Sequence, residues 1–177
     1  MDVILLNGAS SAGKTSLARA IQDLMPETWI TLGVDTLSAE MPPRLDGSPE
    51  GLLIHPGGRI DVGPAWTALE SAWRRGVGAM ARSGLRIVMD DVIFGGAAAQ
   101  AEWNAALAGL AVLWVAVRCD PEVLTARELA RGDRVVGMAA RQAPFVHDGI
   151  AYDLEVDTSG RTTAACAAQI VERATTR

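Results

Sequence analysis

The sequence predicts an α/β fold with a parallel sheet, formed by one domain over residues 1–177. Three observations lead to this prediction. Short continuous apolar runs recur along the chain, as is typical of parallel strands covered on both faces. Segments with helical periodicity follow these runs, and a glycine-rich stretch joins the first run to the first helix. A chain of 177 residues can bury a substantial core in one domain.

The strands and helices can be placed in order. The predicted strands cover residues 3–6, 29–32, 86–89, 110–117 and 151–156. The predicted helices begin near Gly13, Pro64, Gly96, Pro121 and Gly160. Proline at 64 and 121 suits the first position of a helix, where its missing N–H is not needed. Strands that alternate with helices favour a sheet of parallel strands.

Composition limits the classes of partner. The net charge is −5, and the basic residues are scattered among acidic ones, so the chain offers no basic stripe for nucleic acid. No apolar run approaches the length that spans a membrane, and the N-terminus lacks the positive start of a signal peptide. We therefore expect a cytoplasmic protein that binds small anionic molecules, with no nucleic-acid or membrane partner. Whether it forms a homo-oligomer is left open.

The segment from Gly8 to Ser16 predicts a phosphate-binding loop of the Walker A type. Its residues are Gly8, Ala9, Ser10, Ser11, Ala12, Gly13, Lys14, Thr15 and Ser16. Glycine at the two ends of this pattern lets successive backbone N–H groups turn toward a phosphate. Lys14, the only lysine in the chain, is predicted to reach the β- and γ-phosphates of ATP, and the Thr15 hydroxyl to bind Mg²⁺. The alternative is an ordinary glycine-rich turn between a strand and a helix.

Three aspartates follow predicted strands. Asp35 comes just after the second strand, and Asp90 and Asp91 end the third. Ligands of open α/β sheets bind at the carboxyl ends of the strands. We predict Asp35 as a catalytic residue and Asp90 and Asp91 as candidate Mg²⁺ ligands. Which of Asp90 and Asp91 faces the metal is left open, because a shift of one residue in register would exchange their faces. The alternative for Asp35 is an N-cap of a helix over 36–40.

Residues 41–63 are dense in proline and glycine, which predicts a long loop. Within it, residues 52–54 and 59–62 flank a His-Pro-Gly-Gly turn, as in a small hairpin. We interpret this segment as a flap over an acceptor substrate; the alternative is a surface hairpin without function. Trp66 and Trp73 of the next helix are predicted core residues, and a role in an aromatic acceptor pocket stays open.

Three arginines predict a lid over residues 127–146. Arg127 and Arg131 lie one helical turn apart, and Arg134 follows a glycine that could act as a hinge. Phosphoryl transfer needs cations on the equatorial oxygens and exclusion of water. We predict Arg131 and Arg134 as catalytic and Arg127 as nucleotide-binding. The alternative is a solvated helix face on which Glu128 and Asp133 pair with these arginines.

The chain resembles the chloramphenicol phosphotransferase family over nearly its whole length. The likeness is carried by NGASSAGK (7–14), GVD (33–35), IVMDDV (87–92), GGAAAQ (95–100), VRCD (117–120), ARGDRV (130–135) and EVDT (155–158). It departs from the family pattern at Ala9 and Thr15, where the family has glycine and serine, and in the hairpin, which matches less well. Ala9 and Thr15 still fit the general phosphate-loop pattern.

The resemblance implies a P-loop kinase fold: three α/β/α layers around a five-stranded parallel sheet of order 2-3-1-4-5, with an arginine-bearing lid. It also implies transfer of the γ-phosphoryl group of ATP to the primary 3-hydroxyl of chloramphenicol, with Asp35 as the base. Two other hypotheses remain: a kinase of this fold that acts on another small alcohol, sugar or nucleotide, and a nucleotide-dependent switch that hydrolyses ATP slowly.

Overall fold

A computed structural model describes residues 1–132 and 135–176. Its centre is a parallel sheet whose strands are β1 Val3–Asn7, β2 Trp29–Gly33, β5 Arg86–Asp91, β6 Val112–Arg118 and β7 Leu154–Asp157. These strands stand in the order β2-β5-β1-β6-β7. A separate antiparallel hairpin pairs β3, Leu52–Ile54, with β4, Ile60–Val62.

The strand numbers differ from the predicted order 2-3-1-4-5. The prediction counted five strands, whereas the hairpin contributes β3 and β4 and so moves the later strands up by two. The bounds of the last two sheet strands also differ from prediction. They begin at Val112 and Leu154, two and three residues later than expected.

Helices cover both faces of the sheet. They are α1 Lys14–Leu24, α2 Val34–Ala39, α3 Pro64–Arg82, α4 Gly96–Ala106, α5 Pro121–Arg131, α6 Met138–Gln142 and α7 Thr163–Thr175. Side chains of α1, α5, α6 and α7 pack in one core with Ile4 and Leu6, and those of α3 and α4 pack in a second core with Val3 and Leu5. Because successive residues of a strand point to opposite faces, β1 contributes to both cores and the fold has three layers.

The register of the sheet aligns three strand ends. Asn7 of β1 pairs with Asp91 of β5, and Gly33 of β2 pairs with Asp90. The segments that leave β1, β2 and β5 therefore meet at the carboxyl edge of the sheet, where open α/β folds bind ligands. Within the described part of the chain, no helix combines the length and the apolar character needed to traverse a bilayer.

Candidate active site

The predicted phosphate-binding loop connects β1 to the N-terminus of α1. Gly13 has a φ of 90°, a left-handed conformation that favours glycine, and it is the N-cap of α1. Lys14 is the first residue of the helix. The backbone N–H groups of this first turn have no partner within the helix and form a site suited to an anion.

Ser11 gives the loop a feature that an ordinary turn does not need. Its φ is 63°, which is uncommon for a residue with a side chain, and it is only 8% exposed. Its buried hydroxyl oxygen has no hydrogen-bond partner among the residues that the structure describes. Since an unpaired buried polar group is costly, Ser11 indicates that the loop is shaped for a ligand.

Asp90 faces the beginning of α1. The Thr15 hydroxyl donates a hydrogen bond of 2.5 Å to Asp90 Oδ2. Lys14 Nζ donates to the backbone oxygen of Ala9 at 2.9 Å and lies 3.8 Å from Asp90 Oδ1. A carboxylate, a hydroxyl and an ammonium thus converge at the mouth of the loop.

Asp91 points to the other face of β5, because neighbouring residues of a strand alternate. It is 5% exposed, and its Oδ1 accepts a hydrogen bond from Val92 N at 2.8 Å. Burial raises the pKa of Asp91 to about 7, and the carboxylates of Glu70 and Asp90 add to this rise against the hydrogen bond from Val92. The geometry brings Asp90 to the Thr15 hydroxyl and does not support Asp91 as a metal ligand beside it.

Asp35 reaches the same edge from β2. It lies in the first turn of α2, whose N-cap is Gly33, so the alternative that Asp35 is itself an N-cap is wrong. Its side chain is exposed and lines one cavity together with Lys14, Thr15 and Asp90. The structure therefore brings the predicted base and the predicted phosphate loop into one site.

That cavity has a volume of about 1030 Å³, at the upper end of the range of about 300–1,000 Å³ for ligand pockets. One end, the basic end, is formed by the loop after β1, α5, α6 and the loop after β7; its basic side chains are Lys14, Arg127, Arg131 and Arg161. The other end, the acidic end, is formed by α2, the hairpin, α3 and the segment after β5; its acidic side chains are Asp35, Asp46 and Glu70. Its apolar side chains are Val34, Met41, Leu52, Ile54, Ile60, Val62, Trp66, Val92 and Phe94.

Arg127 is fixed over the phosphate loop by Thr158, a contact that the sequence did not predict. Arg127 Nη2 donates to Thr158 O at 2.7 Å, and Nη1 donates to Thr158 Oγ1 at 3.2 Å. The Thr158 hydroxyl in turn donates to Ala12 O at 2.8 Å. The one sequence signal for a role of Thr158 in the site was its position, because it follows a predicted strand at the edge where ligands bind.

The predicted lid is placed only in part. Arg131 is the last residue of α5, is exposed and lines the cavity, whereas Arg134 lies outside the described residues. Glu128 is buried and accepts hydrogen bonds from Gly137 N at 2.7 Å and Ala139 N at 2.8 Å, so the alternative that placed it on a solvated helix face is wrong for this residue. The lid itself stays a prediction.

Gln142 of α6 is a second residue that sequence reasoning missed. It is 4% exposed, lines the cavity, and its Oε1 accepts a hydrogen bond of 2.6 Å from Ser10 N. The short helix α6 is thereby tied to the phosphate loop. No local pattern marks a glutamine 132 residues away from its partner.

The hairpin contacts the same helix. Arg141 Nε donates to Gly57 O at 3.2 Å, and a Cβ on Gly58 would lie 2.3 Å from Met138 Cα. Trp66 is buried and lines the cavity, whereas Trp73 packs against the core shared with α4. The hairpin thus closes one side of the acidic end, and its role as a flap remains a prediction.

Comparison with known proteins identifies the family of this chain. The chain matches the family model “Chloramphenicol phosphotransferase-like protein” over residues 1–175. It is 34% identical over 180 residues to “Putative O-phosphotransferase Rv2636” of Mycobacterium tuberculosis strain H37Rv, an alignment that covers 89% of this chain and 75% of that relative.

Solved structures of lower identity share the fold. The tunicamycin resistance protein of Deinococcus radiodurans has a TM-score of 0.64 at 18% identity, covering 98% of this chain and 95% of that one. The Mycobacterium tuberculosis APS kinase CysC, in complex with AMPPNP and APS, has a TM-score of 0.60 at 15% identity, covering 96% and 95%. Identities this low show the fold alone, which is kinase-like. The family match over residues 1–175 shows that the chain belongs to the chloramphenicol phosphotransferase-like family, and it is an O-phosphotransferase of the kinase type.

Proposed function

We propose that this protein transfers the γ-phosphoryl group of ATP to a hydroxyl of a small molecule, and that the primary 3-hydroxyl of chloramphenicol is the first acceptor to test. The observation that carries the proposal is the shared cavity, with the phosphate loop and arginines at the basic end and Asp35 at the acidic end. Family membership supports the same reaction.

The basic end suits the triphosphate of ATP. The first turn of α1 offers backbone N–H groups, and the Ser11 hydroxyl, which has no partner among the described residues, offers a further polar contact. Lys14 is within reach of the phosphates that this turn would bind, and Arg127 is held beside Gly13 by Thr158. In the transition state these cations would stabilise the charge on the transferring phosphoryl group.

The residues also fit a Mg²⁺ ion. In the described part of the chain no group of three or more His, Cys, Asp or Glu side chains forms a metal cluster. The adjacent Thr15 hydroxyl and Asp90 carboxylate are the oxygen pair expected where Mg²⁺ takes its other ligands from phosphates and water. When bound, the ion would neutralise phosphate charge.

Asp35 is proposed to orient the acceptor hydroxyl toward the phosphate and to accept its proton. Because an alcohol is a very weak acid, a carboxylate cannot remove its proton in advance, and the transfer comes late in the reaction. Positioning is then the main contribution of Asp35. Another small hydroxyl compound would be held in the same way, and this is the alternative for the acceptor.

Mass spectrometry of chloramphenicol incubated with the protein, ATP and Mg²⁺ tests the proposal. We expect a gain of one phosphoryl group on the primary alcohol. If chloramphenicol is unchanged and another alcohol or sugar of a test panel is phosphorylated, the alternative acceptor holds. If ATP is hydrolysed slowly and no acceptor in the panel is modified, the phosphotransferase proposal is contradicted and a nucleotide-dependent switch is favoured.

A further inference from the structure

Apart from Asp90, which lies 3.8 Å from Lys14 at the phosphate loop, the charges of the cavity are segregated. Among the described residues, which exclude 133, 134 and 177, every basic side chain that lines the cavity belongs to the basic end. The ionisable side chains of the acidic end are all carboxylates. The basic end suits a nucleoside triphosphate. The acidic end faces the acceptor, whose recognition the phosphate loop does not determine.

Glu70 is the carboxylate that the proposed reaction does not use. It lies on α3 one helical turn after Trp66, so both side chains share a face of that helix and both line the cavity. Burial raises the pKa of Glu70, partly offset by the charge of Arg74. The Glu70 side chain is 33% exposed and lines the cavity, so a bound acceptor can reach its carboxylate.

Arg74 fixes the position of Glu70. Its Nη2 lies 3.2 Å from Glu70 Oε2 and 3.0 Å from Glu102 Oε2, and its guanidinium lies 6.0 Å from the centre of the Trp103 ring. Arg74 is 8% exposed and is not among the residues that line the cavity. One arginine between two carboxylates leaves this cluster with a net negative charge. The ion pair with Arg74 is made by Glu70 Oε2.

We propose that Glu70 is a specificity-determining residue of the acceptor site. Its carboxylate, which lines the cavity, accepts a hydrogen bond from an N–H or O–H group of a neutral or cationic acceptor. Its charge, together with Asp35 and Asp46, excludes acceptors that carry a carboxylate, phosphate or sulfate. Like charges in a partly desolvated site repel strongly, so this arrangement selects against the wrong substrate as well as for the right one. The inference rests on the proposed function, because it concerns the acceptor of that reaction.

Three probes of one size separate charge from shape: 4-(hydroxymethyl)benzamide, 4-(aminomethyl)benzyl alcohol and 4-(hydroxymethyl)benzoate. Each has the same ring and primary hydroxyl, and they are neutral, cationic and anionic at neutral pH. Dissociation constants are measured with Mg²⁺ and a non-hydrolysable ATP analogue. Phosphorylation is measured separately with ATP.

The wild type should bind the amide and the amine at least about 10-fold more tightly than the benzoate. Glu70→Gln should reduce that ratio by roughly 10-fold. The control is Glu102→Gln, which removes the other partner of Arg74 from an exposed position outside the cavity and should change the ratio by less than about twofold. A wild type that binds the benzoate as well as the amide, or equal effects of the two variants, overturns the proposal.

The binding and phosphorylation measurements distinguish the role of Glu70 from the proposed function. A preserved charge preference, while chloramphenicol, the acceptor panel and the three probes all remain unphosphorylated, contradicts the proposed function and supports charge selection by the site. Phosphorylation of all three alcohols with equal kcat/KM supports the proposed function and overturns the role of Glu70.

Discussion

Gly33 and Asp90 face each other across β2 and β5 so closely that a Cβ on residue 33 would lie 2.4 Å from Asp90 O. The φ of Gly33 is −167°, an extended conformation that any residue adopts, so space rather than backbone freedom requires glycine here. This contact brings the beginning of α2, and with it Asp35, beside the carboxylate that faces the phosphate loop.

We expect Gly33→Ala to lower the free energy of unfolding by about 1–3 kcal/mol, because the added methyl forces the two backbones apart. Denaturant unfolding measures the change. Gly76→Ala is the matched control, since this helical glycine has nothing within 4 Å of an added Cβ and alanine is the better helix former. Equal destabilisation by the two substitutions contradicts the explanation.

Asp35→Asn should reduce turnover by roughly 10²- to 10⁴-fold, because the amide holds the acceptor hydroxyl but cannot take its proton. The dissociation constant of ATP should change little, since Asp35 belongs to the acidic end. Steady-state kinetics and nucleotide titration separate these effects. Turnover equal to that of the wild type removes Asp35 from the mechanism.

Asp90→Asn should raise the Mg²⁺ concentration for half-maximal activity by about 10- to 100-fold, because it weakens the carboxylate beside Thr15. Asp91→Asn is the natural comparison, as its side chain lies on the opposite face of β5. Its Mg²⁺ requirement should match that of the wild type. The reverse result would assign the metal to Asp91.

The hairpin tip offers a matched pair of glycines. Both Gly57 and Gly58 have positive φ, 78° and 79°, but a Cβ on Gly57 meets nothing within 4 Å, whereas one on Gly58 meets the backbone of Met138. Gly58→Ala should therefore raise the KM of the acceptor more than Gly57→Ala does. Acceptor kinetics at saturating ATP measure the difference, and identical KM values for the two variants show that docking of the tip is unimportant.

His147 should make the protein sensitive to acid. Burial and the nearby charge of Arg118 lower the pKa of His147 from 6.5 to about 4, and its Nδ1 lies 2.8 Å from the Tyr152 hydroxyl. Between these two pH values the unfolded chain binds more protons than the folded one, so stability falls as the pH falls through this window. Thermal unfolding of wild type and His147→Gln should show a difference that shrinks toward low pH. A difference that stays constant across the window contradicts this role.

Local patterns predicted most of the fold and part of the site. Apolar runs identified the first four strands of the sheet and alternating polarity identified the fifth, and the spacing of Gly8, Gly13 and Lys14 identified the loop, because these signals depend on neighbouring residues. The register could not be predicted, so the orientation of Asp90 and Asp91 required the structure. The contacts of Thr158 and Gln142 were missed because their partners lie 146 and 132 residues away in the sequence.

The five residues of α6 join parts of the protein that have separate tasks. Gln142 holds the phosphate loop, Met138 receives the hairpin tip, and the first amide groups are held by Glu128 of α5. If filling one end of the cavity displaces this helix, these contacts carry the displacement to the other end. Thermodynamic reciprocity then requires that if ATP tightens binding of the acceptor, the acceptor tightens binding of ATP by an equal factor.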